Sequence, residues 1–500
     1  MSMLFAPQAQ SKHSDQYVPF RFRKVDSHIV ITNDFGDAEF LTEDEFEQFV
    51  SGTYLFNEEL KKRLSDANFL ANNFNLETQV NRYWKKRAFL DHGPSLFAFV
   101  LTERCNHGCQ YCHSSVVGME RTDTDMTVEM AERCVNTVLA APGYALTIEF
   151  QGGEPTANWD VLCHIVRYAK QRNVFARKSL AFSLVTNFSM MSDERLDFLI
   201  DNRVQICTSL DGPEELHNRT RIFGQGNSHA LTVHWINRVN QRYREMGLDS
   251  NLYRVEALPT ITRFSLPLWK EIVDEFVRQG CRAVFLRKLD PFGFAATTRR
   301  KLGYSVDEFL EFYRAAFDYI LQLNVEGIQV LERNAAIMLC KIIGDSEPNY
   351  LDLRSPGGAA IGQLAFHPNG NVYSSDEGRM VAAMGDDTFL LGNVLNDSYL
   401  DIMTRPAVKA LVLAGTNDAQ PDCVQCVYKP YCGQQPEYNY KTQGSIFGRM
   451  RDSEWCRKHK GIFDHVMQRL RLATPEERDV FRKWTTSRPQ EHFIHMVPVP

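Results

Sequence analysis

The sequence predicts an α/β chain whose centre is a partial barrel of six parallel strand–helix units. Three observations carry that expectation. From Ser95 to Leu289, apolar runs of strand length alternate with amphipathic stretches of helix length, the signature of parallel β–α units. The count stops at six, in about 200 residues, short of the eight that close a full barrel. Loops rich in glycine, cysteine and polar residues follow several of the strands, and the loops beyond strand C-termini are where such barrels place their chemistry.

Composition bounds the rest. A chain of 500 residues has a prior of about three domains, and 44% apolar residues are ample for packed cores. With 56 Lys and Arg against 62 Asp and Glu the net charge is −6, which leaves no basic footprint for a nucleic-acid partner. No run of about 18 apolar residues is present, and the N-terminus lacks a basic-then-apolar signal pattern. No membrane partner is expected, and the chain reads as cytoplasmic. Twelve cysteines then point to metal or redox roles rather than disulfides. Seven fall in two motif groups. Cys134, Cys163, Cys207, Cys281 and Cys340 stand singly in apolar patterns, where inert buried thiols are expected.

Taken in order, residues 1–16 read as a flexible tail. Residues 17–75 read as a small α+β domain. Phe20-Arg-Phe-Arg and Ile29-Val-Ile-Thr are strand-like around the polar turn Asp26-Ser27. Thr42-Glu-Asp-Glu45 is a capping box opening a helix that Gly52 ends, and a second helix runs through Leu60 and Leu64. Residues 76–92 form a charged linker helix. The barrel spans 93–325, with strands near Leu96–Leu101, Ala145–Phe150, Ser179–Val185, Gln205–Ser209, Val255–Ile261 and Ala283–Leu289. Helices include Val128–Leu139, Val161–Gln171, Ala230–Arg244, Leu268–Arg278 and the long Val306–Leu323. From about Gly344 the periodicity is lost, and 344–465 reads as a loop-rich domain. It includes a hairpin from Leu364–His367 to Asn371–Tyr373 across Pro368-Asn-Gly370. Residues 466–500 read as a C-terminal tail.

The chemistry-bearing motifs sit in this frame. Cys105, Cys109 and Cys112 follow the first strand with the spacing C-x3-C-x2-C. Three thiolates do not close a tetrahedral zinc site, although His107 or His113 could complete one. The other reading is an iron–sulfur cluster with one iron left open. Gln151-Gly-Gly-Glu-Pro155 follows the second strand. There Gly152 and Gly153 permit close backbone approach and Glu154 can fix an ammonium group. Thr186-Asn187 ends the third strand, and Ser209-Leu-Asp-Gly-Pro213 ends the fourth, with His217 and Arg221 beyond it. Near the C-terminus Cys423, Cys426 and Cys432 are joined by Cys456, a set that satisfies zinc or iron–sulfur by spacing alone.

In this order the motifs resemble the radical S-adenosylmethionine (SAM) enzymes. The resemblance implies a 4Fe–4S cluster on Cys105, Cys109 and Cys112, whose open iron chelates the methionine part of SAM. Reductive cleavage then yields a 5′-deoxyadenosyl radical. It implies SAM contacts from Gly152, Gly153, Glu154, Asn187, Ser209 and Arg221, with Phe188 standing where the family's third-strand motif has glycine. The Ser209–Arg221 run is similar to that of the subgroup that modifies peptides and proteins. The 17–75 stretch resembles the winged-helix-like peptide-recognition element, which binds a leader peptide by adding it as an edge strand.

The C-terminal cysteines resemble the SPASM extension of radical SAM peptide maturases, which normally holds two auxiliary 4Fe–4S clusters. Cys423, Cys426, Cys432 and Cys456 match the ligands of the outer one. The positions of the inner one read Pro356-Gly-Gly-Ala359, Gly370-Asn-Val-Tyr-Ser-Ser375 and Gln434-Gln-Pro436. One ligand set is complete and the other absent as a set, so one auxiliary 4Fe–4S cluster is expected. Asp376 matches an aspartate taken as a general base in some maturases, against the plainer reading of an exposed loop carboxylate. The whole pattern is most similar to the maturases of His-Xaa-Ser peptide systems.

The expected function is therefore a radical SAM peptide maturase. It would abstract hydrogen from a ribosomally made precursor peptide and form a side-chain crosslink, with the auxiliary cluster accepting an electron. A flavodoxin or ferredoxin would serve as donor, and a second maturase is a conceivable partner. The alternatives are an anaerobic sulfatase-type, formylglycine-generating maturase and a non-catalytic iron–sulfur or zinc scaffold.

Overall fold

A computed structural model describes residues 17–486 and 491–496 of the chain; the tail expected over 1–16 lies outside them. The first described unit is a three-stranded antiparallel sheet, Phe20–Val25, His28–Asn33 and Ala38–Leu41, in that spatial order. The Thr42–Glu45 capping box opens the helix Glu43–Ser51, and Gly52 closes it in a left-handed conformation, φ 82°. A second helix, Glu58–Asp66, follows. Ile31, Leu41, Phe49, Leu60 and Leu64 form a small core of their own under the sheet. The opposite face rests on the C-terminal region, where the Thr32 hydroxyl donates to the Val427 carbonyl at 2.6 Å and Arg23 pairs with Asp464 at 2.8 Å. The linker helix is shorter than its charge pattern suggests, running Leu76–Lys86 before a 3-10 turn.

The barrel is as expected in kind. Strands Leu96–Val100, Ala145–Gln151, Ser179–Thr186, Val204–Ser209 and Glu256–Leu258 pair in parallel, each with the next. The sixth unit joins through the short parallel pair Thr260–Ile261 and Arg287–Lys288. Alternation sets the two faces. Leu146, Ile148 and Phe150 are buried against the helices, while Glu149, Ser183 and Cys207 face the barrel interior, where they are only partly covered. Cys207 thus departs from the expectation for lone cysteines. Cys134, Cys163, Cys281 and Cys340 are buried. The helices run Val128–Leu139, Trp159–Ala176, Ser228–Glu245, Trp269–Arg278 and Val306–Val325.

Two features differ from the sequence reading. The hairpin Gln363–Phe366 to Asn371–Tyr373 does not stand apart. Gln363–Phe366 pairs in parallel with the first barrel strand, Leu96 opposite Gln363 and Phe99 opposite Phe366, so the barrel sheet continues through the hairpin to Leu390–Asn393. A period of two identifies a strand but not its second neighbour. The region read as loop-rich also carries the 19-residue helix Glu454–Leu472, which holds Cys456 and packs on Val306–Val325. Helix Pro475–Trp484 follows it, and Ile494–His495 pairs antiparallel with the third barrel strand.

The seam between barrel and hairpin is closed by small side chains. Ala98 and Ala365 are both fully buried, packed with Tyr373. Ala98→Leu should overpack it, at a cost of about 1–3 kcal/mol. The expected result is a lower thermal unfolding midpoint by circular dichroism; an unchanged midpoint would mean the seam is not tightly packed.

Candidate active site and cysteine centres

The cysteine loop is half strand. His107–Cys109 pairs antiparallel with Arg221–Phe223, Cys109 opposite Arg221. This pairing brings the end of the fourth-strand motif onto the first, a contact that spacing in sequence does not reveal. Tyr111, one residue before Cys112, donates its hydroxyl to Asp211, and Arg221 donates to the same hydroxyl at 2.8 Å. Arg221 and Asp211 are thus tied to the cysteine loop through Tyr111, and all three are buried.

The two glycines after the second strand press on that loop from the other side. A Cβ on Gly152 would stand 2.3 Å from the Thr102 carbonyl oxygen, and one on Gly153 would stand 2.1 Å from that of Arg104. The approach is sealed by hydrogen bonds from Gly153 N–H to Thr102 at 2.8 Å and from Glu154 N–H to Arg104 at 2.7 Å. The backbone these glycines approach is therefore the protein's own.

Glu154 is 1% exposed. Its Oε1 accepts from the Thr156 N–H at 3.1 Å, the Thr156 hydroxyl at 2.5 Å and the Thr186 hydroxyl at 2.7 Å. Its Oε2 accepts from the Asn187 N–H at 2.8 Å. A carboxylate offers about four lone-pair sites, so the free capacity lies on Oε2. Asn187 in turn places its Nδ2 3.1 Å from His107 Nδ1 and 3.3 Å from Asn106 Oδ1. The second- and third-strand loops and the cysteine loop thus form one hydrogen-bonded body.

These loops enclose a cavity of about 210 Å³, lined by Cys105, Cys109, Cys112, Gly152, Gly153 and Glu154 together with Asn187, Ser209 and Arg221. All the residues expected to hold SAM and the first cluster meet on one wall. Asp376 does not line it, although Met380, one turn on in the same helix, does. The Asp376 carboxylate is ion-paired with Arg379, and Arg379 also reaches the Ser114 hydroxyl at 3.4 Å.

Sequence reasoning missed two contributors, Arg287 and Ser228, and named His113 only as a fourth ligand to a zinc ion. Arg287 enters the cavity wall from the sixth strand. His113 buries its Nε2 there with no hydrogen-bond partner among the described residues. Ser228 bridges His107 and His217, 2.9 Å from a ring nitrogen of each. His217 was visible as part of a motif. Ser228 carried no local signal, since it is simply the first residue of a helix.

Burial pushes the Cys105 thiol up to about 12, with Glu154 adding to the effect, and Cys109 up to about 11. Cys423 is likewise raised to about 12 by burial and by Cys456 and Cys426, and Cys432 and Cys456 are raised. Thiols so placed are poor nucleophiles on their own, and a bound metal is what stabilises them as thiolates. The donor sets fit iron–sulfur chemistry, three thiols opening on a cavity and four grouped around one another. Among the described residues no group of three or more His, Cys, Asp or Glu is arranged to hold a single metal ion.

The positions without inner-cluster cysteines come together in space. A Cβ on Gly357 would stand 2.2 Å from the Gln434 carbonyl oxygen. Ser374 and Ser375 both donate to Glu437 Oε1 at 2.7 Å. The Gln434 side chain turns toward the remaining set, its Nε2 3.5 Å from Cys423 Sγ. Glu377 nearby is held well above the usual carboxylate range by burial and by the Asp352, Asp376 and Glu437 charges.

Comparison with known proteins agrees with this geometry. Residues 99–249 match the family model described as Radical SAM superfamily. A cysteine-type anaerobic sulfatase-maturating enzyme of Clostridium perfringens is 24% identical over 384 residues, covering 73% of this chain and 94% of that one. A native anSMEcpe structure with bound AdoMet and Cp18Cys peptide superposes at TM-score 0.60 with 18% identity, covering 78% of this chain and 99% of that one. Streptococcus suis SuiB bound to its precursor peptide SuiA superposes at TM-score 0.52 with 15% identity, covering 88% and 98%.

The glycine contacts yield a direct test. Gly153→Ala drives a Cβ into the Arg104 carbonyl and should displace the cysteine loop. Iron bound by Cys105, Cys109 and Cys112 should fall while that bound by the C-terminal cysteines is retained. Full iron content and unchanged SAM binding in that variant would mean that the loop yields without consequence.

Proposed function

We propose that this chain, an enzyme of the radical SAM superfamily, modifies a ribosomally made precursor peptide and joins two of its side chains. One observation carries the reading: four separate strand-end loops converge on a single cavity whose lining also includes Arg287 and Met380, the latter from the helix that begins with Asp376. Cys105, Cys109 and Cys112 would hold the cluster there beside SAM, and together these groups would supply radical chemistry for hydrogen abstraction. The protein's own groups position and shield. Glu154 offers its remaining Oε2 acceptor to an ammonium group. Ser209 and Arg221 line the same wall, and Asn187 holds the cysteine loop against it. Asp376 is ion-paired with Arg379 and is the base that would take a proton from substrate. Cys423, Cys426, Cys432 and Cys456 would hold the one auxiliary cluster, an electron acceptor.

The three-stranded unit supports the peptide reading. It is mounted on the loop that carries Cys426, and strand addition at such a sheet is a recurrent way to hold an extended peptide. A flavodoxin or ferredoxin donor and a second maturase remain the partners proposed beside the peptide. A sulfatase-type maturase is the second reading, favoured by the relative matched over 94% of its length. The inner-cluster positions weigh against it, because they are filled by Ser375, Gln434 and packed glycines.

Iron content tests the assignment. After anaerobic reconstitution the wild type should hold about eight irons per chain, and removal of either cysteine set should leave about four. Replacing Cys105, Cys109 and Cys112 with Ala should also abolish 5′-deoxyadenosine formation. About twelve irons in the wild type, or persistent SAM cleavage in that variant, would contradict the proposal.

A further inference from the structure

A second groove lies away from the reaction cavity. It has a volume of about 550 Å³ and runs between the third strand of the N-terminal sheet and the C-terminal helices. Ala38 and Phe40 form one wall. Met467, Leu470 and Phe481, from helices Glu454–Leu472 and Pro475–Trp484, form the other.

Strand geometry decides what this edge offers. Asn33 donates its N–H to Asp37 at 3.2 Å, so the alternation of an antiparallel pair turns the amides and carbonyls of Ala38 and Phe40 away from the neighbouring strand. Those of Phe40 are already taken. Its N–H donates to Glu39 Oε1 at 2.8 Å, and its carbonyl accepts from Arg63 Nη2 at 2.5 Å. Those of Ala38 have no partner among the described residues. The edge is open at Ala38 and clasped at Phe40.

Charge decides what enters. Four arginines line the groove against one carboxylate, Asp37, in a chain whose net charge is −6. Arg82 is held by Asp37 and Asp345, and Arg471 by Asp26. Among the described residues the Arg478 side chain reaches only the Ala473 carbonyl, at 3.2 Å, and Arg482 forms no ion pair, its charge acting on Asp479, which is itself paired with Lys483. Two exposed guanidinium groups one helical turn apart thus stand without an ion pair among the described residues, beside an apolar floor.

We propose that this composite groove, one wall from the N-terminal sheet and the other from helices Glu454–Leu472 and Pro475–Trp484, binds an extended acidic stretch of the precursor peptide. Its carboxylates would meet Arg478 and Arg482, and its apolar side chains Leu470 and Phe481. The inference rests on the peptide-substrate reading above. It assigns the helix Pro475–Trp484, within a segment that reads as tail, a part of the recognition surface.

The test uses the full-length protein and two fluorescein-labelled synthetic peptides of equal length, one alternating glutamate with valine, the other lysine with valine. Fluorescence anisotropy should give at least about tenfold tighter binding of the glutamate peptide, weakening as salt is raised. In the Arg478→Glu, Arg482→Glu double variant the preference should reverse, and this readout is independent of any loss of stability. Equal binding of the two peptides, or an unreversed preference, overturns the proposal. So does a wild type that elutes as a dimer and a double variant that elutes as a monomer, because the groove then belongs to a second copy. Wild-type SAM cleavage is measured alongside. If cleavage persists without the charge preference, the groove assignment alone fails; if cleavage is absent, the maturase reading fails with it.

Discussion

The buried carboxylate of Glu154 is the constraint on which the rest of the site depends. Moving a carboxylate out of water costs several kcal/mol, and each hydrogen bond to a charged group returns about 1.5–3 kcal/mol. Four donors from Thr156, Thr186 and Asn187 offset the cost only if the second- and third-strand loops are both in place. The carboxylate therefore enforces their registration. Glu154 also lies against the cysteine loop, since its N–H and that of Gly153 hold Arg104 and Thr102. One anion thus fixes three loops, and it retains acceptor capacity on the cavity side.

The C-terminal region follows a second logic. Where the resemblance places an inner cluster, the described residues meet directly: glycine against backbone at Gly357 and Gln434, and two serines on one carboxylate at Glu437, while Gln434 Oε1 is buried without a partner among them. A cavity left by absent ligands would carry unsatisfied polar groups at about 1–3 kcal/mol each, and the Ser374–Ser375–Glu437 network removes that cost for its own hydroxyls. What remains is a four-thiol group, with Gln434 turned toward it from a vacated position.

Much of this was legible in the sequence because strand-end motifs are local. The cysteine spacing, the Gly-Gly-Glu turn and the Ser209–Pro213 run each declare themselves within a few residues, and their order follows from parallel β–α alternation. The N-terminal capping box was likewise local and is present at Thr42 and Glu45. What escaped depends on neighbours distant in sequence. The pairing of Gln363–Phe366 with the first barrel strand, the bridge from His107 through Ser228 to His217, and Arg287 on the cavity wall are tertiary facts with no periodic signature. The role of the glycines was half visible, since their need for close approach was plain but the backbone approached was not. The helix bearing Cys456 was hidden because His459, Gly461 and His465 occupy buried positions where apolar residues would have announced it.

The account holds that hydrogen is taken from a peptide by a radical formed at the Cys105, Cys109 and Cys112 site. The direct measurement is the mass of the 5′-deoxyadenosine formed when the reconstituted enzyme turns over with a uniformly deuterated peptide encoded beside it. Gain of one deuterium in the nucleoside, with loss of hydrogen from the peptide, is the predicted result. Unlabelled 5′-deoxyadenosine accumulating beside unchanged peptide, for every such peptide tested, would contradict it.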